Sequence, residues 1–447
     1  MLQKILTYTR NKYFLSLAGN ATMSVFGLVI AAVLYRALPR AELGVWVFFQ
    51  STLLLIDTFR AGFITTAFIK FHAGAEPRRA DEILGATWYI ALCITGGFIL
   101  LNIPAFFFTG LITNQGLLFF LKWFGITYLC TLPSFIASCV VQSQQRFDRL
   151  LYIRFVSQAL FILGIIGLIA TGHSNLQNII YANLVAAIIT SVFTMARGWA
   201  GLKTLARRSR QGISDMFHFG KFSVGTTFGA NLFRSSDTFI INFMLGPEAL
   251  AIYNLGQRLM EVVEIPLRSF AATAMPSLSE AFNRQQRERV ILITGRYIGM
   301  ITVALIPVAV IAVVLADVAV AVIGGGKYIH TEAANVLRLF MTFALLYPAD
   351  RFLALTLDVI HQPRINFIKV FVMLFFNILG DVVGISVLGN IYGVAVTTFI
   401  PTLIGVLVGY YALRRYRHFS LWELYSGGYR ELRLLVLDKY RKKRSDQ

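Results

Sequence analysis

The chain has 447 residues, of which 57% are hydrophobic and 14% charged, with mean hydropathy +0.67; an average soluble domain is roughly 25% charged. This balance excludes a soluble globular enzyme or nucleic-acid-binding domain and points to a polytopic membrane protein. The net charge of +19 must therefore be placed relative to a bilayer before it is read as affinity for a partner.

In chain order, Lys4, Arg10 and Lys12 precede an apolar run of about 22 residues, longer than the roughly 7 to 15 of a signal-peptide core. No small-residue cleavage site follows, so the run is expected to be the first spanning helix. Stretches of the roughly 20 apolar residues that cross a bilayer recur about twelve times: near 13–38, 43–71, 83–108, 117–141, 151–171, 176–197, 218–244, 249–280, 290–316, 333–359, 365–388 and 391–413. The three cysteines, Cys93, Cys130 and Cys139, lie inside these stretches at no metal-like or redox spacing and read as small buried apolar residues.

The links alternate in character. The first, third, fifth, seventh and eleventh are short and nearly uncharged, such as "TGLITNQ", "GHSN" and "GN"; the second, fourth, sixth, eighth and tenth carry "EPRRADE", "QRFDRL", "LKTLARRSRQG", "NRQQRERV" and "HQPR". The positive-inside rule places the basic set and both termini in the cytoplasm. Most of the net charge is then topological, and no nucleic-acid partner is expected.

The widest basic connection, Gly198 to Met216, separates six spans from six. Expected boundaries are an N-terminal bundle over 1–200, a basic linker over 201–217, a C-terminal bundle over 218–414 and a basic amphipathic tail over 415–447. Sliding the chain on itself by 207 residues sets Leu38–Gln50 against Leu245–Gln257, Phe63–Phe68 against Phe270–Met275, Asp57 against Glu264 and Thr87 against Thr294. Two halves entering the membrane in the same direction are the pattern of parallel-repeat transporters, whose substrate sites lie between the halves near the bilayer midplane.

Polar residues cluster on a few spans. The first offers Asn20 and Ser24; the second carries Gln50 and Asp57 on one face with Arg60 adjacent; the seventh carries Thr227, Asn231, Arg234, Thr238 and Asn242 with Asp237 beside them. The eighth, beginning at "LGPEALAIYNLGQRL", has Gln257 followed by a helical stripe of Arg258, Glu261, Glu264 and Arg268. Charges at mid-span depth cost on the order of 3 kcal/mol each and are expected to face protein or a water-filled interior. The expected lining is therefore Arg60, Arg234, Arg258 and Arg268 as ligands for an anionic head group, with Asn20, Gln50, Asn231, Asn242 and Gln257 as polar lining. Asp57, Asp237, Glu261 and Glu264 are either ion-coupling groups or salt-bridge partners, Glu264 with Arg268 at i,i+4 and Arg258 with Glu261 at i,i+3. Guanidinium groups bind phosphate oxygens bidentately, which suits a pyrophosphate or another anionic sugar carrier.

Elsewhere, Pro348 with Asp350, Arg351 and Asp358 in the tenth span reads as a kink beside a local ion pair or as a cavity element of the second half. Lys369 and Asp381 are expected to snorkel from span ends. The tail mixes Leu, Trp and Tyr with basic residues and is expected to lie on anionic lipid or bind a partner. No HExxH, GxSxG or GxxxxGK[ST] pattern occurs, "GGGKY" lacks the Walker spacing, and the six histidines are scattered. No metal, cofactor or nucleotide is expected. A membrane-embedded polymerase or ligase would need catalytic groups outside the bilayer, and the longest external segment, Asp317–Glu332, is short and poor in them.

"LGPEALAIYNLGQRL", "FAATAMPSLSEAF" and "VIGGGKYIHTEAANVLRLF" resemble, in order and spacing, segments of the bacterial polysaccharide flippases (O-antigen and exopolysaccharide translocases) of the multidrug/oligosaccharidyl-lipid/polysaccharide exporter superfamily. The resemblance covers about residues 8–414. It implies an all-α integral membrane fold of about twelve helices in two six-helix bundles forming a V-shaped central cavity, in the bacterial inner membrane. It further implies a non-enzymatic flippase that moves an undecaprenyl-pyrophosphate-linked oligosaccharide from the inner to the outer leaflet by alternating access. Implied partners are the lipid-linked oligosaccharide, membrane lipids and polysaccharide synthesis proteins. Lipid II flippases of the superfamily differ in having fourteen helices and an Arg and Asp pair in the first, where this chain has "NATMSVFGLVIAA"; drug and cation exporters favour acidic and aromatic cavities. If the topology is right, cysteines at Asn114 and Asn175 react with an impermeant external thiol reagent in intact cells and one at Gln286 does not; labelling at Gln286 would overturn it.

Overall fold

A computed structural model describes residues 12–107, 110, 112–420 and 422–425. Lys4, Arg10, the side chains of Asn20 and Thr227, and the tail beyond Tyr425 lie outside the described residues. Every element within them is helical.

The helices are α1 (Lys12–Ala37), α2 (Arg40–His72), α3 (Pro77–Phe107), α4 (Gln115–Ser143), α5 (Phe147–Ala170), α6 (Leu176–Ala196), α7 (Arg210–Met244), α8 (Pro247–Leu259) and α9 (Glu261–Asn283), then α10 (Arg287–Val314), α11 (Ala316–Gly324), α12 (Ala333–Phe343), α13 (Tyr347–Val359), α14 (Pro363–Leu388), α15 (Tyr392–Thr397) and α16 (Phe399–Tyr416). Among the described residues, nine segments are long and apolar enough to cross a membrane: α2, α3, α4, α5, α6, α10, α12 with α13, α14, and α15 with α16. Of the three remaining expected spans, α1 contributes the shorter apolar stretch Met23–Ala37. The other two, α7 and the α8–α9 pair, are the ones diluted by polar stripes.

Two compact units divide the chain, Met1–Ala251 and Ile252–Gln447. The boundary falls inside α8, so α7, which follows the basic connection, packs with the first unit. There α2 lies against α3, α4 and α7. Helices in lipid gain little hydrophobic energy from each other, so small residues, aromatic packing and interhelical hydrogen bonds hold them. Phe48 of α2 meets Phe239 and Phe243 of α7 edge to face at 5.6 and 5.8 Å. A Cβ at Gly44 would lie 1.7 Å from the Pro247 carbonyl oxygen, so the start of α8 rides directly on α2 backbone.

The basic connection is docked along α3. Trp88 Nε1 donates to the Ala200 carbonyl at 2.8 Å, Arg79 pairs with Asp215 at 2.5 Å, and Arg207 pairs with Asp81. Asn114 caps α4 by accepting from the Leu117 amide at 3.0 Å, and it also accepts from Asn242 Nδ2 of α7 at 3.0 Å.

In the second unit α10 packs against α9, α12 and α13, and α14 against α15 and α16. Gly384 and Gly393 meet backbone to backbone: a Cβ on Gly384 would sit 2.5 Å from the Gly393 oxygen. Some positions 207 residues apart share local features. Thr87 and Thr294 are both fully buried, and each returns its hydroxyl to the carbonyl four residues back, Ile83 and Val290, at 2.8 Å. Shifted by 207, α3 covers 284–314, and α10 runs Arg287–Val314. Beyond this, α11 and the turn after it shift the register.

Three segments add detail to the sequence reading. The eighth span is broken at Met260, whose amide is shared between the Gly256 and Gln257 carbonyls at 3.3 and 3.1 Å. The segment Asp317–Glu332, expected to be external, is largely ordered helix, with Tyr328 fully buried. The tenth span breaks into a 3-10 turn, Ala344–Leu346, just before Pro348, and Asp350 reaches Lys369 of α14 rather than a neighbour on its own helix.

Candidate functional site

The eighth expected span carries more charges than any other, and four of them arrange themselves around the break. Arg258, near the end of α8, donates from Nη1 to Glu261 Oε1 at 2.9 Å across Met260. One turn into α9, Glu264 pairs with Arg268. Pro266 stands between them, without an amide to offer the Val262 carbonyl. The arginines remain accessible: the side chain of Arg258 is 40% exposed and that of Arg268 51%. Gln257 precedes them, half-buried. The structure brings these residues together, each guanidinium held by an acidic neighbour on the same chain segment with a large part of its surface open.

The first unit treats its charges differently. Arg60 is 5% exposed. Its Nε donates to Asp57 Oδ1 at 2.8 Å, and its Nη1 reaches Thr131 Oγ1 at 3.3 Å and the Tyr128 carbonyl at 3.5 Å. The guanidinium carbon lies 4.6 Å from the Tyr128 ring centroid and 4.3 Å from that of Phe135. Nη2 also lies 2.8 Å from Asp57 Oδ1, so all three guanidinium nitrogens are spent on α2 and α4, and Arg60 acts here as a strut rather than an open ligand. Tyr128, Thr131 and Phe135 share one face of α4 at i, i+3 and i+7, a pattern present in the sequence that the search for charged faces passed over.

The other expected lining residues divide similarly. Asn231 donates to Thr58 Oγ1 at 3.0 Å, joining α7 to α2, and Asn242, 1% exposed, is tied to Asn114 of α4. Asp237 is buried among Ser235, Ser236 and Thr238, whereas Arg234 is exposed. Gln50 is half-buried on α2.

A second polar cluster lies in the second unit, where the sequence reading needs correction. Lys369 and Asp381 do not snorkel. Lys369 is 4% exposed and donates to Asp350 Oδ1 at 2.7 Å. Asp381 is fully buried, accepting from Asn377 Nδ2 and from Thr397 Oγ1, both at 3.1 Å. The physical reason is close packing: glycines at 380, 384 and 393 bring α15 onto α14, and the face bearing Asn377 and Asp381 is sealed beneath it. The i,i+4 Asn377–Asp381 spacing followed by glycines was the available signal. Among the described residues, no group of three or more His, Cys, Asp or Glu side chains is placed to hold a metal ion.

The Arg60 cage makes a direct expectation. Asp57→Asn leaves a buried guanidinium without its counter-charge and should lower the stability of the detergent-purified protein by roughly 2 to 3 kcal/mol, less than the 3 to 5 of a fully buried pair because Asp57 is 35% exposed. Adding Arg60→Met should restore most of the loss. An unchanged thermal midpoint in Asp57→Asn would contradict the cage.

Comparison with known proteins completes the picture. The family model "Polysaccharide biosynthesis protein" matches residues 33–333. A curated relative from Haloferax volcanii, described as "Probable low-salt glycan biosynthesis flippase Agl15", is 20% identical over 231 residues, 52% of this chain and 48% of that protein. The chain thus matches only about half the length of that relative. Among solved structures, a multidrug resistance MATE family transporter of the MOP superfamily in an inward-facing conformation is similar with TM-score 0.74 at 15% identity, covering 88% of this chain and 94% of that one. The lipid II flippase MurJ, inward closed, gives TM-score 0.69 at 15% identity, covering 94% and 91%. At such identities the structural likeness concerns the fold. The chain is a multi-pass membrane protein with the all-helical fold of the MOP-superfamily transporters, and it belongs to the polysaccharide biosynthesis protein family.

Proposed function

We propose that the protein is a flippase that carries a polyprenyl-pyrophosphate-linked oligosaccharide, in bacteria the undecaprenyl-linked form, from the inner to the outer leaflet of the cytoplasmic membrane. The observation that carries this reading is the pair of accessible arginines on α8 and α9, set within a membrane-length segment and each held by a neighbouring carboxylate. Membership in a polysaccharide biosynthesis family and likeness to a glycan flippase support the substrate class.

At roughly 1.5 Å per residue Arg258 and Arg268 lie about 15 Å apart along the helix axis. That is too far for one pyrophosphate to bridge. They act as two successive stations, each exchanging its carboxylate for phosphate oxygens when the head group arrives and recovering it on departure. The exchange keeps the guanidinium compensated throughout, which lowers the electrostatic barrier to passage. Arg234 of α7 is a third accessible cation, and Arg60 has a positioning role. Transport by alternating access, cytoplasmic termini and cytoplasmic even-numbered loops belong to the same proposal. A cationic drug as cargo fits these arginines poorly.

For the arginines, Arg258→Ala and Arg268→Ala should each reduce surface polysaccharide about tenfold or more with normal amounts of monodisperse protein. Lys should rescue in part, because it keeps charge but loses the bidentate fork. A purely structural ion pair predicts the opposite pattern: Arg268→Ala would lose folded protein, and adding Glu264→Gln would restore both protein and export. Normal export in both Ala variants would sink the proposal.

A further inference from the structure

The second unit contains a groove of about 480 Å³ between α9 and α10, distinct from the charged stripe. Thr273 and Ser277 of α9 and Arg289 and Arg296 of α10 face into it, and Phe270 and Met300 line it as well. No carboxylate lines it among the described residues. The two arginines are seven residues apart and so share one face of α10, about 10 Å apart along its axis.

The groove has a polarity along the helices. α9 ends at Asn283 and α10 begins at Arg287, so Ser277 and Arg289 lie toward the connecting turn, whereas Phe270 and Met300 lie deeper along the two helices. α10 is a 28-residue span, about 42 Å long. That length matches a bilayer with its head-group layers, roughly 40 to 45 Å. Arg289 therefore falls at head-group depth and the Arg296 backbone about 10 Å deeper, from where its long side chain can reach back toward the head groups, while the deep end of the groove is at acyl-chain depth. Carboxylates nearby are engaged elsewhere: Glu280 pairs with Arg284 at 3.0 Å and Glu288 with Arg417 at 3.0 Å. The walls open to lipid, since Leu292 on the same lining is 64% exposed and Phe270 is 40% exposed.

We infer that this groove is a binding site for an anionic glycerophospholipid of the surrounding leaflet. The phosphodiester is held by Arg289 and Arg296 with the Thr273 and Ser277 hydroxyls, and the first part of an acyl chain lies along Phe270 and Met300. Basic pockets between membrane helices bind anionic head groups by this chemistry. The requirement for two cations at different heights together with an apolar floor distinguishes a lipid from free phosphate, which has no use for the floor. The site needs only that the chain spans a membrane and does not depend on which cargo it moves.

Native mass spectrometry of the purified full chain with added phosphatidylglycerol or phosphatidylcholine tests the assignment. The wild type should retain one phosphatidylglycerol at energies that strip phosphatidylcholine. Arg289→Gln with Arg296→Gln should reduce that occupancy about twentyfold, and Arg78→Gln, at a fully solvated residue of the first unit, should not change it. Leu292→Trp, which fills the groove and keeps both arginines, should also abolish retention, so a folding defect in the double variant does not remove the test. Equal retention of the two lipids, unchanged occupancy in the double variant and in Leu292→Trp, displacement by millimolar inorganic phosphate, or tighter binding of a polyprenyl phosphate would each overturn the inference.

Discussion

A charge inside an apolar helix bundle must be balanced where it stands, and this requirement organises the molecule. Arg60 meets it most completely, with a carboxylate, two aromatic faces, a hydroxyl and a carbonyl around one guanidinium. Lys369 meets it with Asp350. Arg258 and Arg268 meet it with Glu261 and Glu264 but retain 40% and 51% of their side-chain surface. The same rule thus produces two kinds of arginine. One is locked by partners from a second helix, and the other is paired with a carboxylate of its own chain segment and keeps a large part of its surface open.

Close helix contact seals polar groups in the second unit: where Gly384 meets Gly393 backbone to backbone, Asn377 and Asp381 on that face are buried. Where Met260 and Pro266 interrupt the α8–α9 segment, the Met260 amide is shared between two carbonyls, Pro266 offers no amide, and the charged side chains beside them stay open. Breaks in membrane helices are tolerated where the freed groups meet protein or water. The polar stripe and the break therefore belong to one arrangement, and both are reasons why this segment is less apolar than its neighbours.

Much of this was legible in the sequence because bilayers constrain it strongly. Apolar runs of spanning length, alternation of basic links and the polar stripes of the second, seventh and eighth spans were all visible without coordinates. So was the 207-residue offset, which reappears as the matched hydroxyls of Thr87 and Thr294. Less legible was anything decided by which helices touch. Arg60 looks like Arg258 in sequence, and only the face of α4 carrying Tyr128, Thr131 and Phe135 makes it a strut. Asp381 looked like a span-end residue because hydropathy does not encode the glycine contacts that bury it. Single residues at helix breaks were equally hard to place: Pro266 was visible, whereas Met260 carries no signal of its own.

The central claim is that the arginines of α8 and α9 select cargo by its anionic head group, and it is tested most directly from the side of the cargo. Purified protein in proteoliposomes would be given two fluorescent polyprenyl-linked oligosaccharides identical except that one carries a pyrophosphate and the other a neutral linkage. Leaflet exchange would be followed by quenching from outside. The account predicts protein-dependent movement of the pyrophosphate lipid at least tenfold faster than that of the neutral one. Equal rates for the two would contradict it.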